Sequence, residues 1–166
     1  MNNKPAFTLI ELMVIISLLA LIFGLTITRM SFFDHFLMRI EVEKLMSACL
    51  FMQQLAIATN EEKYLTFDMQ KNEYQFAKHH EKVSSRIYFG FIKDIKGPPG
   101  SPHNVITKAI TFPEQRICFY PTGIISSGTV YLTDENRRLL YALSNAVSQV
   151  SYLRMYCYDG GWKVVE

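Results

Sequence analysis

The chain has 166 residues, enough for one ordinary domain or for a membrane anchor followed by a small domain. Lysine and arginine total 17 against 15 aspartates and glutamates, so the formal charge is only +2, which does not favour nucleic acid as the main partner. The three cysteines form no CxxC pair and predict no zinc or redox motif. At most one disulfide can form, with Cys118 and Cys157 favoured because both fall in predicted strands.

The first element is an apolar run that begins at Phe7. No charged residue occurs from residue 12 to residue 28. As a helix, residues 7–28 extend about 33 Å at about 1.5 Å per residue, which is enough to cross a bilayer core. The sequence therefore predicts a leader peptide at residues 1–6 and a transmembrane helix at residues 7–28.

A cleavable secretory signal is the alternative interpretation, because such signals also begin with a short cationic stretch, here the amino terminus and Lys4. Their small-residue cleavage site follows the apolar run. In this chain no A-x-A pattern follows the run, and the small residue Ala6 precedes it. Cleavage after Ala6 would leave the apolar helix at the N-terminus of the mature chain.

Glu11 is a carboxylate inside this apolar run. At the centre of a spanning helix it costs about 2.5–3.5 kcal/mol, which favours a functional role. One interpretation places Glu11 near the membrane interface, with its side chain extended toward water. The other pairs it with a cation: cleavage after Ala6 frees an α-amine on Phe7, and the Glu11 of a neighbouring subunit can neutralise that amine at low dielectric. Such pairing would set the axial register of adjacent chains.

The segment KPAFTLIELMVIISLLALIFG resembles the class III signal of type IV pilins and of type II secretion pseudopilins. The resemblance implies that a prepilin peptidase cuts between Ala6 and Phe7 and methylates the new amine of Phe7, and that Glu11 guides the subunit into a helical filament. Family members usually have glycine before the cut, where this chain has Ala6. The segment also lacks the proline that kinks this helix in many major pilins.

This resemblance also implies a location and partners. The location is the bacterial inner membrane, crossed once, with the leader cytoplasmic and the C-terminal domain periplasmic, and afterwards a periplasmic pseudopilus. The partners are other pseudopilins or pilins, the prepilin peptidase, an inner-membrane assembly platform and membrane lipid.

The next segment, residues 29–60, continues the helical pattern. It has no glycine or proline between residues 36 and 59, and its apolar residues recur every three or four positions. This predicts an amphipathic continuation of the helix that packs on a sheet, with Glu41, Glu43, Lys44, Gln53 and Asn60 mostly on the solvated side. The predicted packed face contains Leu45, Ala48, Cys49, Met52, Leu55, Ala56 and Thr59.

Beyond Asn60 the apolar period changes to two, which indicates strands. KYLTFDM and EYQFAK predict a hairpin, and further strands are indicated by RIYFGFI, AITF, RICFYP, GTVYLT, LLYAL, SYLRMYCY and WKVV. Residues 93–104, with three prolines and two glycines, predict a surface loop. The predicted fold class is α+β: a long N-terminal helix with a membrane half and an amphipathic half, packed on an antiparallel β domain at residues 61–166.

The segment ICFYPTGIISSGTVYLTDENRRLLYALSNAVSQVSYL resembles the C-terminal domain of the GspH and FimT group. This resemblance implies a pilin-like fold. It differs at Asn145 and Ala146, where that group commonly has glycine, and residues 81–108 have no counterpart. The matching residues are Phe119, Pro121, Gly123, Gly128, Thr129, Val130, Leu132, Leu140 and Ser144.

The sequence predicts neither an enzyme nor a metal or cofactor site. The adjacent pair His79 and His80 would point to opposite faces of a strand, and the other two histidines, His35 and His103, have no ligand at helical spacing. Ser126 lies in a turn without a G-x-S-x-G elbow, and no phosphate loop is present.

Three hypotheses for function remain. The first is a minor pseudopilin, a structural subunit of the type II secretion pseudopilus that serves protein transport. The second is a FimT-like minor type IV pilin involved in pilus assembly or DNA uptake. In that group DNA capture is associated with cationic residues near the C-terminus, and the tail here, WKVVE, has only Lys163. The third is an unprocessed single-pass membrane protein unrelated to filaments.

Overall fold

A computed structural model describes residues 8–27, 30–100, 102–145 and 152–165. The chain divides into two compact units, Met1–Phe36 and Leu37–Glu166. The first unit contains helix α1, Leu9–Ile27. Among the described residues, no helix combines the length and the apolarity required to cross a membrane.

Helix α2 spans Met30–Thr59, and its part from residue 37 onward belongs to the second unit. The helix ends because Asn60 adopts a φ of 52°, which lets the N–H of Glu61 donate to the carbonyl of Ala56 at 3.2 Å. The predicted face is confirmed at five positions, whereas Leu55 is half-buried and Thr59 is exposed. The buried apolar side chains of α2 are Met38, Val42, Leu45, Ala48, Cys49, Met52 and Ala56.

A four-stranded antiparallel sheet has the order β3-β2-β1-β5. Its strands are β1 (Lys63–Asp68), β2 (Glu73–Phe76), β3 (His79–Lys82) and β5 (Arg116–Phe119). The predicted hairpin is confirmed as β1 and β2, with Leu65 opposite Phe76. Strand β3 was not predicted, because all four of its residues are polar and exposed and give no alternation.

A five-stranded antiparallel sheet has the order β4-β6-β7-β8-β9. Its strands are β4 (Ile87–Phe89), β6 (Gly128–Asp134), β7 (Leu140–Asn145), β8 (Arg154–Tyr158) and β9 (Trp162–Val164). All five correspond to predicted strands. The segment AITF is not a strand: it contributes one isolated bridge, in which Ile110 pairs with Val130 of β6.

One core joins α2 to both sheets. Its buried members include Leu45 and Met52 from the helix, Leu65 from the first sheet, and Val130 and Leu143 from the second. The predicted α+β class is therefore confirmed: an N-terminal helical region packs on a C-terminal antiparallel β domain, a layout consistent with a pilin-like fold.

The expectation that Glu41 and Gln53 face solvent was wrong: both are 6 % exposed. The amide of Gln53 donates to the carbonyl of Gly123 at 2.6 Å, and the carboxylate of Glu41 accepts from the ammonium of Lys44 at 3.1 Å. Polar groups tolerate burial when they are hydrogen-bonded in this way, and periodicity alone does not reveal such partners.

The predicted loop at residues 93–104 contains turns and no strand among its described residues, but other parts of the chain hold it in place. Lys96 and Val105 form a β-bridge, so the loop and the residue that follows it fold back as a short arm. The indole of Trp162 donates to the carbonyl of Lys96 at 2.7 Å. Ile95 and Ile106 pack on a second apolar cluster that contains Tyr131. The loop therefore covers the face of the five-stranded sheet that α2 leaves open.

The three cysteines are free thiols, so the favoured Cys118–Cys157 disulfide is not formed. Cys118 lies in β5 of one sheet and Cys157 in β8 of the other. Complete burial raises the pKa of the Cys49 thiol far above its ordinary value, and burial also raises the pKa of Cys118. Neither of these two thiols has the low pKa of a reactive cysteine.

Candidate processing and assembly site

The site predicted from the sequence consists of Ala6, Phe7 and Glu11. Ala6 and Phe7 lie outside the described residues, whereas Glu11 lies in the first turn of α1. The described geometry therefore concerns Glu11 and the residues that follow the predicted cleavage junction.

Glu11 and Thr8 form reciprocal hydrogen bonds in the first turn of α1. The backbone N–H and the hydroxyl of Thr8 donate to Oε2 of Glu11 at 3.1 and 3.2 Å, and the backbone N–H of Glu11 donates to the hydroxyl oxygen of Thr8 at 3.3 Å. This reciprocal arrangement is a capping box, which satisfies two N–H groups that the helix itself cannot pair. Thr8 is therefore the N-cap of α1.

The capping box leaves part of the Glu11 carboxylate available. Both hydrogen bonds that its side chain accepts are made by Oε2, and Oε1 has no hydrogen-bond partner within the described part of the chain. A carboxylate carries about four acceptor sites. Glu11 can therefore close its own helix and accept a further hydrogen bond from a cation outside this chain.

The sequence interpretation missed the capping role. The signal was present as T-L-I-E at residues 8–11, the S/T-x-x-E pattern that precedes an apolar helix. The cost of a charge among apolar residues does not by itself reveal this local contact. The structure shows that the carboxylate also has a local partner, Thr8, three residues earlier.

The surface of α1 is apolar on every side. All large apolar side chains from Leu9 to Phe23 are at least 47 % exposed. The hydroxyl of Ser17 donates to the carbonyl of Met13 at 2.8 Å, so this polar group is satisfied inside the helix. A helix with apolar residues all round requires an apolar environment supplied by lipid or by other protein helices.

The residues of the second resemblance fill structural positions in the domain. Gly123 adopts a φ of 80°, and its N–H donates to the carbonyl of Tyr120 at 2.9 Å, which closes the F-x-P-x-G turn. A Cβ on Gly128 would lie 2.5 Å from the ring of Phe112, so only glycine fits there. The hydroxyls of Thr129 and Ser144, opposite each other on β6 and β7, lie 2.8 Å apart.

The histidines and the serine considered from the sequence as ligands or nucleophiles can be placed in the structure, apart from any metal cluster. Within the ranges that the structure covers, no three His, Cys, Asp or Glu side chains lie close enough to hold a metal ion. His79 and His80 are both exposed on β3. The hydroxyl oxygen of Ser126 accepts the backbone N–H of Cys118 at 2.9 Å, so it fixes the turn beside β5.

A family model described as the prokaryotic N-terminal methylation motif matches residues 1–27. No curated protein and no solved structure matches the chain. The matched residues contain the predicted junction Ala6/Phe7, the capping box and all of α1. The motif and the α+β layout together support a type IV pilin-like protein that prepilin peptidase processes, that is anchored at the inner membrane, and that is a structural subunit rather than an enzyme.

Proposed function

We propose that this chain is a minor pseudopilin, a structural subunit of the pseudopilus of a type II secretion system. The observation that carries the proposal is the methylation motif at residues 1–27, which contains a helix whose apolar side chains are exposed on all sides. The resemblance of the β domain to the GspH and FimT group directs the choice to a minor subunit of this kind.

The proposed processing occurs at one peptide bond. Hydrolysis by one water molecule between Ala6 and Phe7 leaves a carboxylate on Ala6 and a free amine on Phe7, and that amine then takes a methyl group from an external methyl donor and loses a proton. Alanine before the cut replaces the usual glycine, and its single methyl group keeps the position small. The mature chain then begins one residue before the N-cap Thr8.

Glu11 is proposed to pair with the Phe7 amine of a neighbouring subunit. The support is geometric: Oε2 is occupied by Thr8, and Oε1 has no partner among the described residues. An ion pair in an apolar helical bundle is much stronger than one in water, but it requires good geometry, and the capping box holds the carboxylate in one orientation. The pair would fix the axial position of each subunit.

Processing is tested by the intact mass of the full chain, expressed with and without an active prepilin peptidase. We expect the peptidase to remove residues 1–6 and to add one methyl group to Phe7. The matched controls are Ala6→Gly, which restores the usual residue and should be cut, and Ala6→Glu, which should not. Retention of residues 1–6 while Ala6→Gly is cut would contradict processing of the natural chain.

The pairing role is tested by two substitutions at one position. Glu11→Gln keeps a side chain suited to the capping box but removes the charge, whereas Glu11→Ala removes both. If the ion pair places the subunit, both variants lose incorporation into filaments equally, as measured by cross-linking to neighbouring subunits. Normal incorporation of Glu11→Gln would show that capping alone suffices.

The choice of system is tested in cells that assemble both a type II pseudopilus and type IV pili. We expect the chain to cross-link to pseudopilins, and deletion of its gene to reduce protein secretion. Cross-linking to type IV pilins instead, together with salt-sensitive retention of duplex DNA by the full chain, would favour the FimT-like alternative.

A further inference from the structure

A groove of about 550 Å³ opens beside β4, within the second unit. We call it the Tyr88 groove. The chain leaves the edge of β6 at Gly90 and returns to it at Ala109, and both residues hydrogen-bond to Tyr131 of β6. The groove lies where these two segments meet. Its apolar part includes Met69, Tyr88, Phe89, Phe91 and Ile110.

The strand beside the groove is closed to further strand pairing. One edge of β4 pairs with β6. On the other edge, the side-chain amide of Asn72 donates to the carbonyl of Ile87 at 2.6 Å and accepts the N–H of Phe89 at 3.2 Å. Backbone groups of β4 are therefore used on both sides. A ligand in the Tyr88 groove therefore cannot bind by adding a strand to β4.

Three cations line the groove: Lys93, Lys108 and Arg137. All three are exposed, and none of them forms an ion pair within the described residues. Other lysines of the domain do pair locally, for example Lys63 with Glu61 and Lys71 with Asp68. The cations of the groove thus have no ion-pair partner among the residues that the structure describes, which is also true of Lys78 and Lys82 outside the groove.

The acids of the groove do not balance these cations. Asp134 is 7 % exposed. Its Oδ1 accepts the backbone N–H groups of Arg138 and Leu139, each at 2.7 Å, so this carboxylate stabilises the β6–β7 turn. Glu135 is the remaining acid of the lining. Three cations against the two acids Asp134 and Glu135 leave the lining with a formal charge of +1, beside its apolar side chains.

We propose that the Tyr88 groove docks a short acidic segment of a partner protein, in which a carboxylate adjoins an apolar or aromatic side chain. The carboxylate is held among Lys93, Lys108 and Arg137, and the apolar side chain packs on Tyr88 and Phe91. The inference is independent of the processing and pairing at α1, and so it goes beyond the proposed function.

A peptide fits the groove better than nucleic acid does. Nucleic acid is bound by cations that follow a long phosphate backbone, whereas here the cations surround one confined volume and Glu135 adjoins them. The volume suits a few side chains. Charge complementarity at such a rim mainly selects the partner and speeds its association.

The test uses the full chain in a non-ionic detergent and a phage-displayed library of random heptapeptides. We expect selection on the natural chain to enrich aspartate or glutamate beside phenylalanine, tyrosine or leucine. The double variant Lys93→Glu/Lys108→Glu should lose this enrichment by about tenfold or more. The matched control is Lys78→Glu/Lys82→Glu, which changes the net charge equally on exposed positions outside the groove and should retain it.

Each alternative outcome contradicts the proposal in a distinct way. Enrichment without acidic residues, or equal loss in the control variant, would show that the groove does not select carboxylates. A second measurement follows the fluorescence anisotropy of a labelled twelve-residue oligothymidine. If that probe binds at physiological salt, and Lys93→Glu/Lys108→Glu abolishes binding while Lys78→Glu/Lys82→Glu does not, the occupant is nucleic acid. Failure of cleavage after Ala6 would leave this result unaffected.

Discussion

Helix α1 and the β domain differ in the exposure of their apolar side chains. In α1 every large apolar side chain from Leu9 to Phe23 is at least 47 % exposed, whereas all six residues of β7 are buried. The same residue types, mainly leucine, isoleucine and phenylalanine, therefore occur in one region that needs external partners and in another that supplies its own.

The comparison shows where each region obtains its stability. In the domain, α2 and the loop at residues 93–104 cover the two faces of the five-stranded sheet. Among the described residues, no buried side-chain nitrogen or oxygen lacks a hydrogen bond. In α1 only the backbone and the capping box are satisfied within the chain. The apolar surface of α1 must be buried by lipid or by other protein helices.

The largest effect is expected from equal truncations in the two regions. Phe119 is fully buried, so Phe119→Ala should lower the free energy of unfolding of the domain by about 3–5 kcal/mol. The matched control Phe23→Ala, at an exposed position of α1, should change it by less than about 0.5 kcal/mol. Denaturation in detergent, followed by fluorescence of Trp162, the chain's one tryptophan, measures both. Similar losses in the two variants would contradict the comparison.

A smaller effect is expected where a buried polar group joins α2 to the domain. Gln53→Ala removes the donor to the Gly123 carbonyl and should cost about 1–3 kcal/mol, because that buried acceptor loses its partner. The neighbouring Gln54 is exposed, so Gln54→Ala is the matched control, with almost no effect expected. The same denaturation measurement applies. A neutral Gln53→Ala would mean that the contact adds nothing to the packing of the helix.

The next effect concerns the start of α1, which depends on local hydrogen bonds. Thr8→Ala should weaken the first turn by about 1 kcal/mol, since loss of an N-cap typically costs this much. Glu11→Gln should have a smaller effect, because glutamine also serves in a capping box. Amide hydrogen exchange at Glu11 and Leu12, in detergent, should therefore accelerate in Thr8→Ala. Equal exchange in Thr8→Ala and the natural chain would exclude a stabilising role for the box.

The smallest effect is a pH dependence in the β1–β2 turn. The backbone N–H groups of Lys71 and Gln70 donate to Asp68 and lower the pKa of its carboxyl. Since the folded-state pKa lies below the unfolded one, the contribution is complete above about pH 4 and is lost as the pH falls through the folded pKa. Asp68→Asn should have a lower Tm at pH 7, and its curve should converge with that of the natural chain in acid. Parallel curves would contradict this assignment.

Most secondary structure was predictable because it follows from periodicity. Eight of the nine strands that the structure describes lie in segments predicted from their apolar pattern, and most of the packed face of α2 followed from its spacing. Strand β3 escaped prediction because it is held by its pairing with β2 and not by burial of its side chains. AITF, in contrast, has strand-like residues but only one bridge, at Ile110.

Long-range partners were not predictable from local pattern. The burial of Gln53 depends on a carbonyl 70 residues away, and the order of the loop at residues 93–104 depends on Trp162. The assignment of β4 to the second sheet depends on its pairing with β6, more than 40 residues later. At the site, the capping box of Thr8 and Glu11 is a local contact and could be predicted from the pattern T-x-x-E. The proposed partner of Glu11 lies on another molecule, so this sequence pattern does not reveal it.

Asn72 has a consequence for how the domain tolerates crowding. A bare strand edge is a template on which one molecule adds to the next, and the apolar strand β4, with the sequence IYF, would present such an edge. With a φ of 55°, Asn72 presents its amide to that edge and occupies both a donor and an acceptor. The Asn72 side chain thus occupies the backbone groups with which another strand would otherwise pair. Subunits held side by side at high local concentration can then associate through other surfaces, because the occupied edge of β4 does not start strand pairing between molecules.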